Sequence, residues 1–232
     1  MSLEKLGKKI LLATPSWVMP GTYLENLRFL RDKNSIDAVE LLFFLYDDGI
    51  RTEFLRELPG IRDFAKRFVF TAHLPGSLKE EHEELVGTLS PLVKHFIVHP
   101  AADAEAEARF LETWMARYGR QRFLLENTSP GLLEALLACF DGDAPLCMDT
   151  AHLLMEGRSP AEFARRYGGQ IREVHLNGTG EGGGDSHKAP RAEDGWFLEL
   201  TPFLRQFSGI VNLELFSWDE VQRGIDCLEE NV

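Results

Sequence analysis

The stretch Pro145-Leu-Cys-Met-Asp149-Thr-Ala-His152-Leu-Leu154 decides the reading of this chain. A short apolar run ends on Asp149 and His152 follows three residues later, so the segment reads as a buried strand breaking into a turn with two metal-ligand side chains at its exit. The pattern recurs along the chain. Phe68 to His73 reads as a strand ending on His73, His95 to His99 as one closed by Pro100, and Gln121 to Glu126 as one ending on Glu126. Ile171 to Leu176 carries His175 near its end, and Ile210 to Phe216 carries Glu214.

Helical patterns separate these runs. They are Thr22 to Arg31, with Leu24, Leu27, Phe29 and Leu30 as its apolar set, Thr52 to Arg67, Leu78 to Leu92, and Asp103 to Tyr118 with Asp103 as N-cap. Pro130 to Phe140, Ser159 to Tyr167 with its Ser-Pro start, Trp196 to Phe207 and Trp218 to Glu229 complete the series. With Ile10 to Ala13 and Ala38 to Phe44, the expected strands number eight. Short apolar strands without polar alternation, each followed by a helix, are what a closed parallel barrel sheathed in helices requires. The expected fold is therefore α/β, a single-domain (β/α)8 TIM barrel spanning residues 1–232. An open doubly wound sheet uses the same units, but no strand is followed by GxGxxG or by a GxxxxGK[ST] loop. One long Gly-rich loop runs from Asn177 to Gly184.

Apolar residues make up 44% and charged residues 27% of the 232, a globular composition that argues against disorder. The formal charge of -12 disfavours extended contact with nucleic acid or an anionic membrane. Cys139, Cys147 and Cys227 show no CxxC spacing and read as reduced thiols of a cytoplasmic protein. The apolar run after Lys8 and Lys9 stops at Thr14-Pro15, too short for a signal-peptide core, and no window approaches a membrane span.

A barrel of this type gathers its chemistry at the C-terminal ends of the strands. The groups found there are His73, His99, Glu126, Asp149, His152, His175 and Glu214, to which the Gly-rich loop adds Asp185 and His187. A lone histidine at a strand end is usually structural, but imidazoles and carboxylates packed together without a cation would repel or lose their charge. Nitrogen and oxygen donors with no thiolate suit zinc, with manganese or iron as alternatives. Nine groups exceed what one ion can hold, so a multinuclear site is expected, with ions spaced by the ~3.5–4 Å of paired-metal hydrolases. Such a cluster polarises a phosphoryl oxygen, generates hydroxide near neutral pH and stabilises a leaving alkoxide, which makes phosphoester hydrolysis the reaction it suits best.

The runs Leu-Leu-Glu126-Asn-Thr, Cys147-Met-Asp149-Thr-Ala-His152, Val174-His175-Leu-Asn177, Asp185-Ser-His187 and Val98-His99-Pro100 resemble, in order, the motifs of the endonuclease IV family within the xylose isomerase-like TIM barrel superfamily. The resemblance implies that His73 and His99 hold one zinc, with Glu126 bridging to a second completed by Asp149, His175 and Glu214. It implies a third zinc on His152, Asp185 and His187, and makes Glu126 and Glu214 the central catalytic carboxylates. Sugar isomerases and epimerases of the same superfamily use one ion, on positions matching Glu126, Asp149, His175 and Glu214, and move protons with the two glutamates. A non-catalytic metal- or ligand-binding barrel is a third reading.

The sequence departs from the DNA-cleaving members in the loop after the second strand, Leu45-Tyr-Asp-Asp-Gly49, which is acidic, and in the short Leu-Pro-Gly that follows His73. The expected substrate is therefore a small-molecule phosphodiester in preference to abasic DNA, one example being the nucleotide loop cut by cobamide-remodelling phosphodiesterases. For substrate contacts, Glu40 either points into the mouth or pairs with a neighbour below it. Lys188 and Arg191 either neutralise a phosphate or are surface charge, and Trp17 and Trp196 either stack on a flat group or pack at the rim. Cys147, two residues before Asp149, is placed beneath the metals, while His82 and His95 fall outside the pattern.

Overall fold

The computed structural model describes residues 10–180 and 185–232. Its elements are β1 (Leu11–Pro15), α1 (Tyr23–Leu30), β2 (Ala38–Leu42), α2 (Asp48–Asp63), β3 (Val69–His73), α3 (Glu83–Leu89), β4 (Val93–Val98), α4 (Ala104–Tyr118), β5 (Phe123–Glu126) and α5 (Leu132–Cys139). The chain continues through β6 (Leu146–Asp149), α6 (Thr150–Met155), α7 (Pro160–Tyr167), β7 (Ile171–His175), β8 (Gly178–Thr179), β9 (Asp185–Lys188), α8 (Gly195–Leu204), β10 (Ile210–Asn212) and α9 (Trp218–Asn231). Eight parallel strands close in the order β1-β10-β7-β6-β5-β4-β3-β2, and β8 and β9 form a separate antiparallel pair. The expected (β/α)8 barrel is the fold.

Strand parity explains the layering. Because alternate residues of a strand face opposite ways, Val39, Leu41, Phe70, Ala72, Phe96, Val98, Leu125, Met148, Val174 and Val211 point outward and join the large apolar layer shared with the helices. The other parity points into the barrel. Leu11, Ala13, Ala38, Val69 and Ile210 form an apolar floor, and Ile97, Leu124 and Cys147 pack against one another higher up. Both faces are thus covered, which is why the strands carry no exposed polar alternation.

The same inward parity also carries a polar layer. Glu173 Oε1 accepts from Thr71 Oγ1 at 3.2 Å, and Glu173 Oε2 lies 3.0 Å from His95 Nδ1. His95, outside the strand-end pattern of the sequence, lies inside the barrel, because β4 begins at Val93. Two further elements were not anticipated. Asp149 caps a short helix, α6, where a turn was expected, and the Gly-rich loop is flanked by the β8–β9 pair, with residues 181–184 outside the described residues. The expected caps are present, since Asp103 accepts from Ala106 N and Ser159 from Glu162 N ahead of Pro160. Among the described residues no helix is long and apolar enough to cross a membrane.

The Glu173 carboxylate is enclosed and both its oxygens are partnered, so removing it strands His95 and Thr71 in an apolar interior. Glu173→Ala is expected to lower stability by about 3 kcal/mol or more in urea unfolding; a loss below about 1 kcal/mol would show that the polar layer carries little of the fold.

Candidate metal centre

Inward parity brings the strand ends together above the polar layer. His73 follows Thr71 by two residues, Glu126 follows Leu124, Asp149 follows Cys147, His175 follows Glu173, and Glu214 follows Asn212, so each points up the barrel axis from its own strand. His73, Glu126, Asp149, His175 and Glu214 are buried, whereas His99 and His152 are partly open. One ligand atom from each of Glu126, Asp149, His175 and Glu214 lies within 4.8 Å of the others, and His73, His99 and Glu126 form a second such group. Glu126 belongs to both.

Three of the imidazoles, His73, His152 and His175, are turned by a fixed partner on one ring nitrogen. His73 Nδ1 lies 3.0 Å from the Leu74 carbonyl, which leaves Nε2 facing Glu126 Oε2 at 3.4 Å. His152 Nδ1 lies 3.0 Å from the Asn127 carbonyl. His175 Nε2 lies 3.1 Å from Glu40 Oε2, so Nδ1 faces Glu126 Oε1 at 3.4 Å and Glu214 Oε2 at 3.3 Å. Such outer hydrogen bonds select the tautomer that presents a lone pair to a metal.

The carboxylates are positioned in the same manner. Asp149 is the N-cap of α6, its Oδ1 accepting from His152 N at 2.7 Å, and Asn127 clamps the Asp149 backbone with bonds of 2.8 and 2.9 Å. Asn177 Nδ2 reaches Asp149 Oδ2 at 3.2 Å and Glu214 Oε2 at 3.0 Å, while its Oδ1 accepts from Ala151 N. Asn127 and Asn177 stand in the motifs of the sequence without an expected role, and Glu173 and Asn212 are not singled out there; the signal available was that each is a polar residue inside or just after a largely apolar run. His187 has a positive φ of 43° and places Nδ1 3.2 Å from the Glu214 carbonyl. The side chain of Asp185, the remaining member of the expected set, lies outside the described residues.

His99 Nε2, Glu126 Oε2 and His175 Nδ1 are buried without a hydrogen-bond partner. His99 Nε2 and Glu126 Oε2 lie 2.9 Å apart yet lack hydrogen-bond geometry, so they address a common point more than each other. Orphaned buried polar atoms of this kind are rare in proteins, and one divalent cation in each of the two groups would satisfy all three. The charge balance agrees. Burial, reinforced by Glu214 and Glu126 and opposed by His152, pushes Asp149 up to about 7. Burial works against charge on His73, but Glu126, Glu40 and Glu214 outweigh it and raise His73 to about 9. Burial likewise opposes charge on Glu214, and His175 overrides it, holding Glu214 at about 2. The cluster draws positive charge onto its imidazoles, which is the demand an ion would meet. The nitrogen and oxygen donors, and Glu126 shared between two groups, therefore fit a divalent metal.

The expected substrate contacts fare differently. Glu40 is fully buried beneath His175, with Oε1 accepting from Asn212 Nδ2 at 3.0 Å, so it is a support for His175 and not a group that touches substrate. Lys188 Nζ lies 4.0 Å from Glu220, and Arg191 pairs with Asp194 at 2.9 Å, both side chains being exposed. Trp196 packs on the core beside Phe197, as a rim aromatic, while Trp17 stays half-exposed near Phe216. Cys147 lies under the cluster, as expected.

No protein-family model matches the sequence, and no curated protein matches it. Solved structures do. The fold is similar to that of a 3-keto-D-glucoside 4-epimerase from E. coli, at 16% identity and a TM-score of 0.65 over 96% of this chain and 98% of that one. Endonuclease IV from Thermus thermophilus aligns at 16% identity and a TM-score of 0.61, over 95% and 99% of the two chains. A probable 3-DHS dehydratase from Bacillus anthracis aligns at 16% identity and 0.64, over 94% and 98%. The chain thus has the closed barrel fold that these three share.

Proposed function

We propose that this chain is a metal-dependent phosphoesterase of the xylose isomerase-like superfamily that acts on a small-molecule phosphodiester in preference to DNA. The observation that supports this reading is the sharing of Glu126 between a two-histidine group and an Asp-His-Glu group. A one-ion isomerase needs only Glu126, Asp149, His175 and Glu214, and it leaves His73 and His99 without a task.

In this reading His73, His99 and Glu126 would hold one divalent ion, Glu126, Asp149, His175 and Glu214 a second, and His152, Asp185 and His187 a third, zinc being the ion the donors suit best. When bound, such ions supply Lewis-acid polarisation of a phosphoryl oxygen and charge for a departing alkoxide. The chain does the positioning. Leu74, Asn127 and Glu40 fix the imidazole tautomers, and Asn177 holds the Asp149 and Glu214 carboxylates in place. Burial of Glu126 and Glu214 keeps bulk water from the floor of the site.

Charge argues against DNA. The chain carries a formal -12, and the loop after β2 presents Asp47, the N-cap of α2, and Asp48 in its first turn, which disfavour a phosphate backbone. A cobamide nucleotide loop is a phosphodiester of the class proposed. The second reading, a single-ion sugar epimerase, draws on the full burial of the four-residue group and on likeness to the E. coli epimerase and to an L-ribulose 3-epimerase, at 17% identity.

Elemental analysis of protein purified without chelator separates the two: two or three ions per chain are expected, and a single ion would favour the epimerase. His99→Ala is expected to lower kcat on bis(4-nitrophenyl) phosphate by about 100-fold or more, whereas an epimerase would keep its turnover nearly intact. Stability after chelation should also carry a sign. His73, raised from 6.5 to about 9, stabilises fully below pH 6.5 and loses that contribution as pH rises through 9. Asp149, raised from 3.8 to about 7 chiefly by burial, costs stability as pH rises over that interval. Urea midpoints of chelated protein should therefore fall from pH 6 to pH 9, and those of metal-loaded protein should not, because protons compete with ions for the same atoms.

A further inference from the structure

The ligand-bearing strand ends occupy one continuous arc of the barrel. β3 to β7 and the segment after β10 contribute every imidazole and carboxylate of the two ligand groups that share Glu126. The remaining two strands, β1 and β2, are neighbours in the ring and contribute none to those groups. What their ends form is a pocket of about 350 Å³ whose wall includes Trp17, Pro20, Leu42, Phe44 and Leu45.

This pocket adjoins the metal centre. The Phe44 ring meets the His73 imidazole edge to face, with centroids 5.8 Å apart. On the other side Trp17 lies 6.4 Å from Phe216, which packs at 4.5 Å on His187. Trp17 is 50% and Leu45 70% exposed, although both are large and apolar, so they bound a surface that water now covers at a cost. The hydroxyls in the wall are already engaged. Tyr23 donates to the Leu42 carbonyl at 2.7 Å, and Ser16 Oγ accepts from Leu42 N at 3.2 Å. The charged group in the lining is Glu53.

We propose that this pocket is a substrate subsite that takes a flat, apolar and uncharged ring, aromatic or alicyclic, attached to the phosphoester held by the metals. The inference rests on the phosphoesterase reading for the reacting group, but the ring specificity stands on the pocket alone. A polyhydroxylated sugar would find most of its hydroxyls facing carbon, with Tyr23 and Ser16 already bonded to Leu42, and an anionic group would meet Glu53. The volume suits one or two fused rings, at the lower end of small-molecule sites. Aromatic walls give such a ring both area and stacking.

The test uses the full-length, metal-loaded protein with two probes. The first is 2-naphthol, which lacks phosphorus, with binding to wild type, Trp17→Ala and Leu45→Ser followed by titration calorimetry. Both substituted side chains are exposed, so melting temperature and metal content should stay near wild type. Binding to wild type that weakens by about tenfold in Trp17→Ala is expected. The second probe is the ratio of kcat/KM for 2-naphthyl 4-nitrophenyl phosphate to that for methyl 4-nitrophenyl phosphate, which share a leaving group; the ratio should exceed one and fall in both variants. Naphthol that does not bind, or binds wild type and both variants alike, overturns the subsite whether or not the esters are cut. Naphthol binding that depends on Trp17, with neither ester hydrolysed, upholds the subsite and overturns the phosphoesterase reading.

Discussion

Three carboxylates, Glu126, Asp149 and Glu214, are buried around one face of the His175 imidazole, and this concentration of charge is the constraint on which the upper half of the barrel depends. Isolated buried carboxylates would surrender their charge by taking up protons. Here they share imidazoles that are held to them by contacts on the opposite side of each ring. The bonds from Leu74 to His73, Asn127 to His152 and Glu40 to His175 are therefore part of the site's electrostatics as much as of its geometry.

That constraint reaches down the barrel. Glu40 is itself held by Asn212, and the next polar contact down the axis is Glu173 between Thr71 and His95. Small barrels are commonly filled by branched aliphatic side chains. This one puts an acid-and-imidazole layer between the apolar floor and the candidate metal centre, with the carboxylate oxygens of Glu40 and Glu173 all hydrogen-bonded. Partnered carboxylates of this kind fix one arrangement of the strands, because any shift of register would leave a buried charge unpaired.

The division of the mouth follows from the ring order. Six neighbouring strand ends furnish the candidate ligands, and the other two furnish the aromatic and aliphatic side chains of the adjoining pocket. Phe44 and Phe216 join the halves, each packing one face of a histidine from the candidate ligand set. Lys188 is taken up by Glu220, which limits the attraction any polyanion would feel there.

Much of this was legible in the residues alone. A strand's parity is a two-residue repeat, so an apolar run that ends on His73, Glu126 or Asp149 already states that these side chains share a face with the barrel interior. The alternation of short apolar runs with amphipathic helices specified a parallel sheet covered by helices for the same local reason. What the sequence could not decide was which polar side chains support others. Glu40 pairs with His175 across 135 residues of chain, and His95 with Glu173 across 78. Such pairs depend on the ring order and register of strands that only closure of the barrel brings face to face. The sequence by itself determined the donors and the direction in which they point; the tertiary structure decided their partners, because contact at long range is a property of the closed sheet and not of any one strand.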